Sequence, residues 1–170
     1  MKTIFKERQK FTQWCLWTLL IGLGVLPIYG IHKQMILGES FGNNPLPDWG
    51  LIIFSLFIFG LITLFIFLRL DTEIDENEIR INFYPFLRRN VSWKDVESAE
   101  VIKYSCLGGW GIRFSTKYGI VYNAKGNKGL AIKLTNGKKI VIGIQKENEL
   151  SIVVEKLTPK NYNSNDNELN

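Results

Sequence analysis

The run Gly108-Gly109-Trp110-Gly111-Ile112-Arg113 is the stretch best suited to recognition chemistry. Its glycines let a ligand or a peptide backbone come close, Trp110 offers an aromatic surface, and Arg113 a planar cationic fork. The same residues also suit a strand-to-strand turn in which Trp110 covers one end of a barrel and Arg113 pairs with an acid, because glycine pairs punctuate turns. Both readings stay open. Lys117, Lys125, Lys128, Lys138 and Lys139 fall in or near expected turns. Beside an anionic leaflet each would add about 1 kcal/mol of attraction, while lysine at hairpin ends is equally a solubilising device.

Other chemistries find little support. His32 is the single histidine, and no cysteine and histidine cluster has the spacing of a metal site. Asp71, Glu73, Asp75, Glu76 and Glu78 lack the glycine and closing glutamate of a calcium-binding loop and read as a solvated hairpin. Neither a GxxxxGKS phosphate loop nor a GxSxG elbow is present. The expectation is a non-enzyme with no catalytic residue, cofactor or metal. Nucleic-acid binding is not expected, since the basic stretch has an acidic neighbour instead of interleaved aromatic platforms.

The elements that would position these residues divide sharply by hydropathy. The chain has 170 residues, 46% of them apolar, and a net charge of +5. No charge interrupts Phe11 to Ile31 or Trp49 to Leu68, runs of 21 and 20 residues, and about 20 residues of helix cross a bilayer. Residues 1–10 sum to +3, residues 71–100 to −4 and residues 101–157 to +7. By the positive-inside rule, both termini are expected to be cytoplasmic. The resulting scheme is a cytoplasmic segment over 1–10, a transmembrane helix over 11–31, an extracytoplasmic loop over 32–48 and a second helix over 49–70. A cytoplasmic β domain over 71–158 and a disordered, asparagine-rich tail over 159–170 complete a multi-pass protein of the cell (inner, cytoplasmic) membrane. The first run is too long, and lacks the small-residue site, for a cleaved signal peptide. Neither run carries an ionisable side chain, which favours an anchor over an ion pathway. Gly22, Gly24 and Gly60 would let the two helices approach closely. Cys15 and Cys106 are expected to be free thiols.

After Leu70 the apolar residues alternate. Thr72 to Ile74 and Ile79 to Phe83 form an expected hairpin. Asn90 to Trp93, Ser98 to Tyr104, Gly111 to Ser115 and Gly119 to Asn123 follow as short strands. Leu130, Ile132 and Leu134 lead into Asn136-Gly137, and a three-residue loop with Gly137 left-handed sets Ile132 opposite Ile140 on one buried face. Leu150, Val153, Val154 and Leu157 then form one stripe of a helix ended by Pro159. About seven strands and one amphipathic helix suit a small barrel capped at one end.

Two spans followed by GGWGIRFS, YNAKGNKGLAIKLTNGKKIVIGIQKENEL and a final helix resemble the bacterial membrane proteins with a pleckstrin-homology-like domain. The match lies at Gly108 to Arg113, Gly126 and Gly129. It departs at Ile144, where threonine is common, and at Glu147, where proline is common, removing a good cap and a good first-turn residue near Lys146. The resemblance implies a membrane helical hairpin plus a mainly-β domain, a curved seven-stranded barrel with a C-terminal capping helix. The leading expectation is a membrane-anchored, non-catalytic binding or scaffolding protein that contacts a partner protein, such as another membrane protein, or anionic lipid headgroups; the alternative is an accessory or regulatory subunit of a membrane transport or envelope-stress complex. Phosphoinositide binding does not transfer with the fold. The candidate binding residues are Gly108, Gly109, Trp110, Gly111, Arg113, Lys117, Lys125 and Lys128.

Overall fold

A computed structural model describes residues 3–103 and 110–158. The chain forms two compact units, one from Phe11–Leu68 and one from the chain on either side of it.

The first unit is helical. Helix α1 (Trp14–Ile31) runs on through a π-helical turn, His32–Ile36, and α2 (Asp48–Phe67) returns. Both are long and apolar enough to cross a membrane. A Cβ at Gly24 would lie 3.1 Å from Ile62, and one at Gly30 3.2 Å from Leu51, so these two glycines admit α2. Gly22 and Gly60, expected to serve the same packing, face open space. Ser55 donates its hydroxyl to Leu51 O at 2.7 Å, which leaves the polar group satisfied inside the pair. Helix α2 ends at Phe67, and Leu70, assigned by hydropathy to the second span, instead enters a strand where it is fully buried.

The second unit is mostly β. One antiparallel sheet runs β1 (Phe5–Lys10), β2 (Arg69–Ile74), β3 (Glu78–Tyr84), β4 (Leu87–Ser92) in that spatial order. A 3₁₀ turn, Trp93–Asp95, leads to a second sheet of β5 (Val96–Lys103), β6 (Gly111–Ser115), β7 (Gly119–Asn123), β8 (Lys128–Leu134) and β9 (Lys139–Ile144). Its order is β5-β8-β9-β7-β6, with β7 and β9 parallel. Helix α3 (Glu147–Leu157) follows and packs against β5 and β1.

The expected seven-stranded barrel is therefore corrected to nine strands in two sheets among the described residues. The strand that hydropathy hides is β1: its inward positions are Phe5, Glu7 and Gln9, two of them polar, so no apolar alternation marks it. Residues 5–10 lie alongside β2 in full register, from Phe5 opposite Ile74 to Lys10 opposite Arg69.

Where alternation is regular, the structure follows it. Ile132 pairs with Ile140 and Leu130 with Ile142 around Thr135-Asn136-Gly137, and Gly137 has φ 78°. The two sheets bury Leu70, Ile74, Ile79, Ile81, Leu130, Ile132, Ile140 and Ile142 almost completely, each worth about 2 kcal/mol of transfer free energy. Leu150 and Val154 of α3 join that core, as the helical stripe requires.

Candidate binding edge

Strand β6 is built from GIRFS. Gly111 opens it at φ 108°, a conformation that a side chain would strain. Alternation then puts Ile112 and Phe114 on one face and Arg113 on the other. Their partners on β7 are Tyr122 for Ile112, Val121 for Arg113 and Ile120 for Phe114. Through β7 the first face continues into Ile140 and Ile142, so Ile112 and Phe114 extend the core-facing rows of the sheet. They extend it past the rim of the core. Tyr122 is 2% exposed, whereas Ile112 is 38%, Trp110 44% and Phe114 87% exposed. β6 is also the last strand of its sheet, and among the described residues no strand pairs with its outer side.

The hairpin that presents this edge is held by one glycine. Gly119 sits at φ 69°, and a Cβ there would overlap the Lys139 carbonyl oxygen. Close contact between the start of β7 and β9 therefore excludes any side chain. Ser115 Oγ accepts from the Tyr118 amide at 3.3 Å and closes the turn, and Lys117 Nζ lies 5.2 Å from the centre of the Tyr118 ring.

The expected site residues separate into several places. Gly108 and Gly109 lie outside the described residues, as do Cys106 and the 159–170 tail. Trp110 precedes β6, Gly111 opens it, and Arg113 lies on the face opposite Ile112 and Phe114. Lys117 occupies the β6–β7 turn, at the end of the sheet where Lys138 and Lys139 open β9. Lys125 sits in the β7–β8 loop at the other end, with Lys128 at the start of β8. Lys128 is further committed to an ion pair with Glu147 of α3. Strand length keeps the two lysine groups apart, at about 3.3 Å per residue.

Beside Lys117, the outer face of the same sheet carries a groove of about 260 Å³. Val121 and Val141 are buried beneath Ile102, Tyr118 and Ala131, so an outer face that alternation would leave polar has an apolar patch. Among the described residues no group of histidine, cysteine, aspartate and glutamate could hold a metal ion. No family model matches the chain, and no curated protein matches it in sequence.

Sequence reasoning missed the pair of residues that closes the unit. Glu7 accepts the Gln145 amide on Oε1 and the Lys146 amide on Oε2, each at 2.9 Å. Gln9 donates to Gly143 O at 2.7 Å and also to Glu7. Lys146 is the N-cap residue of α3, and its side chain, which donates to Glu149 at 3.0 Å, makes no cap hydrogen bond. The carboxylate of β1 thus occupies the amides just ahead of the helix, where an anion is also favoured by the helix dipole. The only trace of this in the sequence is one acid within an otherwise basic segment.

A second polar lock holds the β2–β3 turn. Asp75 Oδ1 accepts the amides of Asn77 at 2.8 Å and Glu78 at 2.9 Å, and Trp93 Nε1 donates to Asp75 O at 3.0 Å. The two backbone amides hold its carboxyl below the ordinary value of 3.8, with Arg80 adding to the effect and burial opposing it.

Proposed function

We propose that this protein is a membrane-anchored, non-catalytic binding or scaffolding module whose β6 edge pairs with an extended segment of a partner protein. The observation that carries this reading is that Trp110, just ahead of β6, and Ile112 and Phe114 within it are exposed along an edge strand whose outer side no strand pairs with among the described residues. Edge strands are usually blunted by charge or by a covering helix, because open backbone groups beside apolar side chains recruit other chains. Here α3 packs against β5 and β1, and β6 leaves the apolar residues of its core-facing rows exposed. In strand addition, main-chain hydrogen bonds supply affinity and alternate side chains supply specificity, so a partner segment with apolar residues at every second position fits this edge. The two helices, long and apolar enough to cross a membrane, support an anchored module; its place in the cytoplasmic membrane with both termini cytoplasmic is part of the proposal, and the GGWGIR resemblance to bacterial pleckstrin-homology-like membrane proteins agrees with a binding role.

The test is site-specific photocrosslinking. Benzoylphenylalanine in place of Phe114, in native membranes, is expected to give an adduct of one discrete mass that disappears when Ile112→Glu is added. Failure to form any adduct overturns the reading. An adduct with a subunit of a transport or envelope-stress complex assigns the chain to such a complex as an accessory component.

A further inference from the structure

The outer face of the four-stranded sheet is polarised along its strands. Toward the β2–β3 turn, Glu73, Asp75 and Glu78 all hold Arg80, Lys6 bridges to Glu73, and Glu76 is exposed. Acids outnumber bases there. At the opposite end, Arg8, Lys10, Arg69 and Arg88 surround a single carboxylate, Asp71, which is bound by Arg8 at 2.7 Å and Arg69 at 3.0 Å. Lys10 and Arg88 are exposed, and among the described residues neither has an ion-pair partner.

The basic end is the one from which the chain enters and leaves the helical unit. Lys10 is followed by Phe11, and Arg69 is preceded by Leu68, the two limits of that unit. Arg69 pairs on one side with Lys10 and on the other with Tyr84, so register brings the β3–β4 turn, Tyr84-Pro85-Phe86, to the same end. Phe86 is 61% exposed and Tyr84 40%, with the Arg69 guanidinium 4.9 Å above the Tyr84 ring. Arg88 stands one same-face step along its strand, about 7 Å from that row and within the reach of its own side chain.

The geometry points to a membrane-docking edge. The Tyr84-Pro85-Phe86 turn enters the headgroup region of the leaflet, and Lys10 and Arg88, which have no ion-pair partner among the described residues, hold the phosphates of anionic lipids. Aromatic rings with a polar tip settle at that depth, and a free guanidinium pairs phosphate oxygens in a bidentate manner. Within a Debye length of about 8 Å, these cations act together on the anionic surface. Phe86 and Arg88 lie well beyond either span in sequence; only the strand register brings them to this end. The docking edge is separate from the β6 edge and rests on the reading of α1 and α2 as spans.

The full chain with Cys15→Ser, Cys106→Ser and Phe86→Cys, labelled at residue 86 with an NBD fluorophore, tests this in lipid nanodiscs. In discs of mixed phosphatidylcholine and phosphatidylglycerol, the label is expected to be quenched by headgroup-proximal spin-labelled lipid and shielded from iodide. A label at Glu76→Cys, at the acidic end, is expected to show the reverse. Arg88→Gln is expected to lower the docked-to-free ratio about fivefold, and Arg88→Lys to restore most of it. Equal iodide access at positions 86 and 76 overturns the docking edge while leaving the spans intact. Quenching that is indifferent to phosphatidylglycerol and to Arg88→Gln overturns the phosphate assignment. A chain that does not enter the disc overturns the spans and the docking edge together.

Discussion

At the edge of the four-stranded sheet, β1 turns Glu7 and Gln9 inward and directs their polar groups at Gly143, Gln145 and Lys146. At the edge of the five-stranded sheet, β6 does the reverse and leaves Ile112 and Phe114 in the open. Both are short terminal strands of antiparallel hydrogen-bonded pairs. Their hydrophobicity is inverted because one edge is met by other parts of the chain, whereas among the described residues no strand pairs with the outer side of the other. A buried edge must satisfy amides and carbonyls that the sheets and helix leave unpaired, so it needs polar side chains pointing in. An edge available for docking needs the opposite. The outer faces show the same contrast: the first sheet has a ladder of ion pairs, while the second has an apolar patch around Val121 and Val141.

The largest perturbation of this contrast is expected from Gly119→Ala. It forces a side chain into φ 69° and against the Lys139 carbonyl oxygen, which removes the hairpin that presents β6. A loss of about 4 kcal/mol follows from the combined conformational and overpacking costs, measured as the unfolding free energy of the solubilised protein. An unchanged melting transition would show that β6 is not held by this turn.

Glu7→Ala tests the closed edge. It removes the acceptor of the Gln145 and Lys146 amides and is expected to cost about 3 kcal/mol, with Glu7→Gln retaining part of that. Hydrogen exchange gives the specific readout: the amides of residues 145 and 146 should lose protection before those of β8. Slow exchange at both in the Ala variant would mean that β1 does not close the unit.

Asp75→Asn is smaller and depends on pH. Because its folded pKa is depressed below 3.8, the carboxylate contributes stability that is fully present above that value and is lost as the pH falls through the lower folded value. Wild type and variant are therefore expected to differ by about 2 kcal/mol at neutral pH and to converge in acid. A constant difference down to pH 2 or so, below the ordinary carboxylate range, would argue that the turn is held by shape alone. Least of all in stability is Phe114→Ser: at 87% exposure it is expected to change unfolding by no more than about 0.5 kcal/mol while weakening partner capture.

The apolar runs, the β8–β9 register and the stripe of α3 were legible in the sequence. Each is a local periodicity, and Leu130, Ile132, Ile140 and Ile142 show it without reference to any other part of the chain. The candidate edge was half legible: GGWGIR marked the place, yet whether Trp110 covers a barrel end or stands exposed depends on what lies beyond β6. The five lysines were expected in or near turns, which says nothing of which turns share an end, and strand direction sends them to two ends of the sheet.

By itself, then, the sequence determined which segments are apolar helices, which face of most strands is buried, and where basic charge is concentrated. Tertiary structure alone decided that residues 5–10 are a strand, that Glu7 binds the amides just ahead of α3, and that Arg88 and Phe86 share an end with Lys10 and Arg69. The physical reason is that periodicity records how one element divides its own faces between core and solvent. Which residue stands across from which is set by pairing between segments more than 60 positions apart, as with Arg8 and Asp71, and no local pattern carries that information.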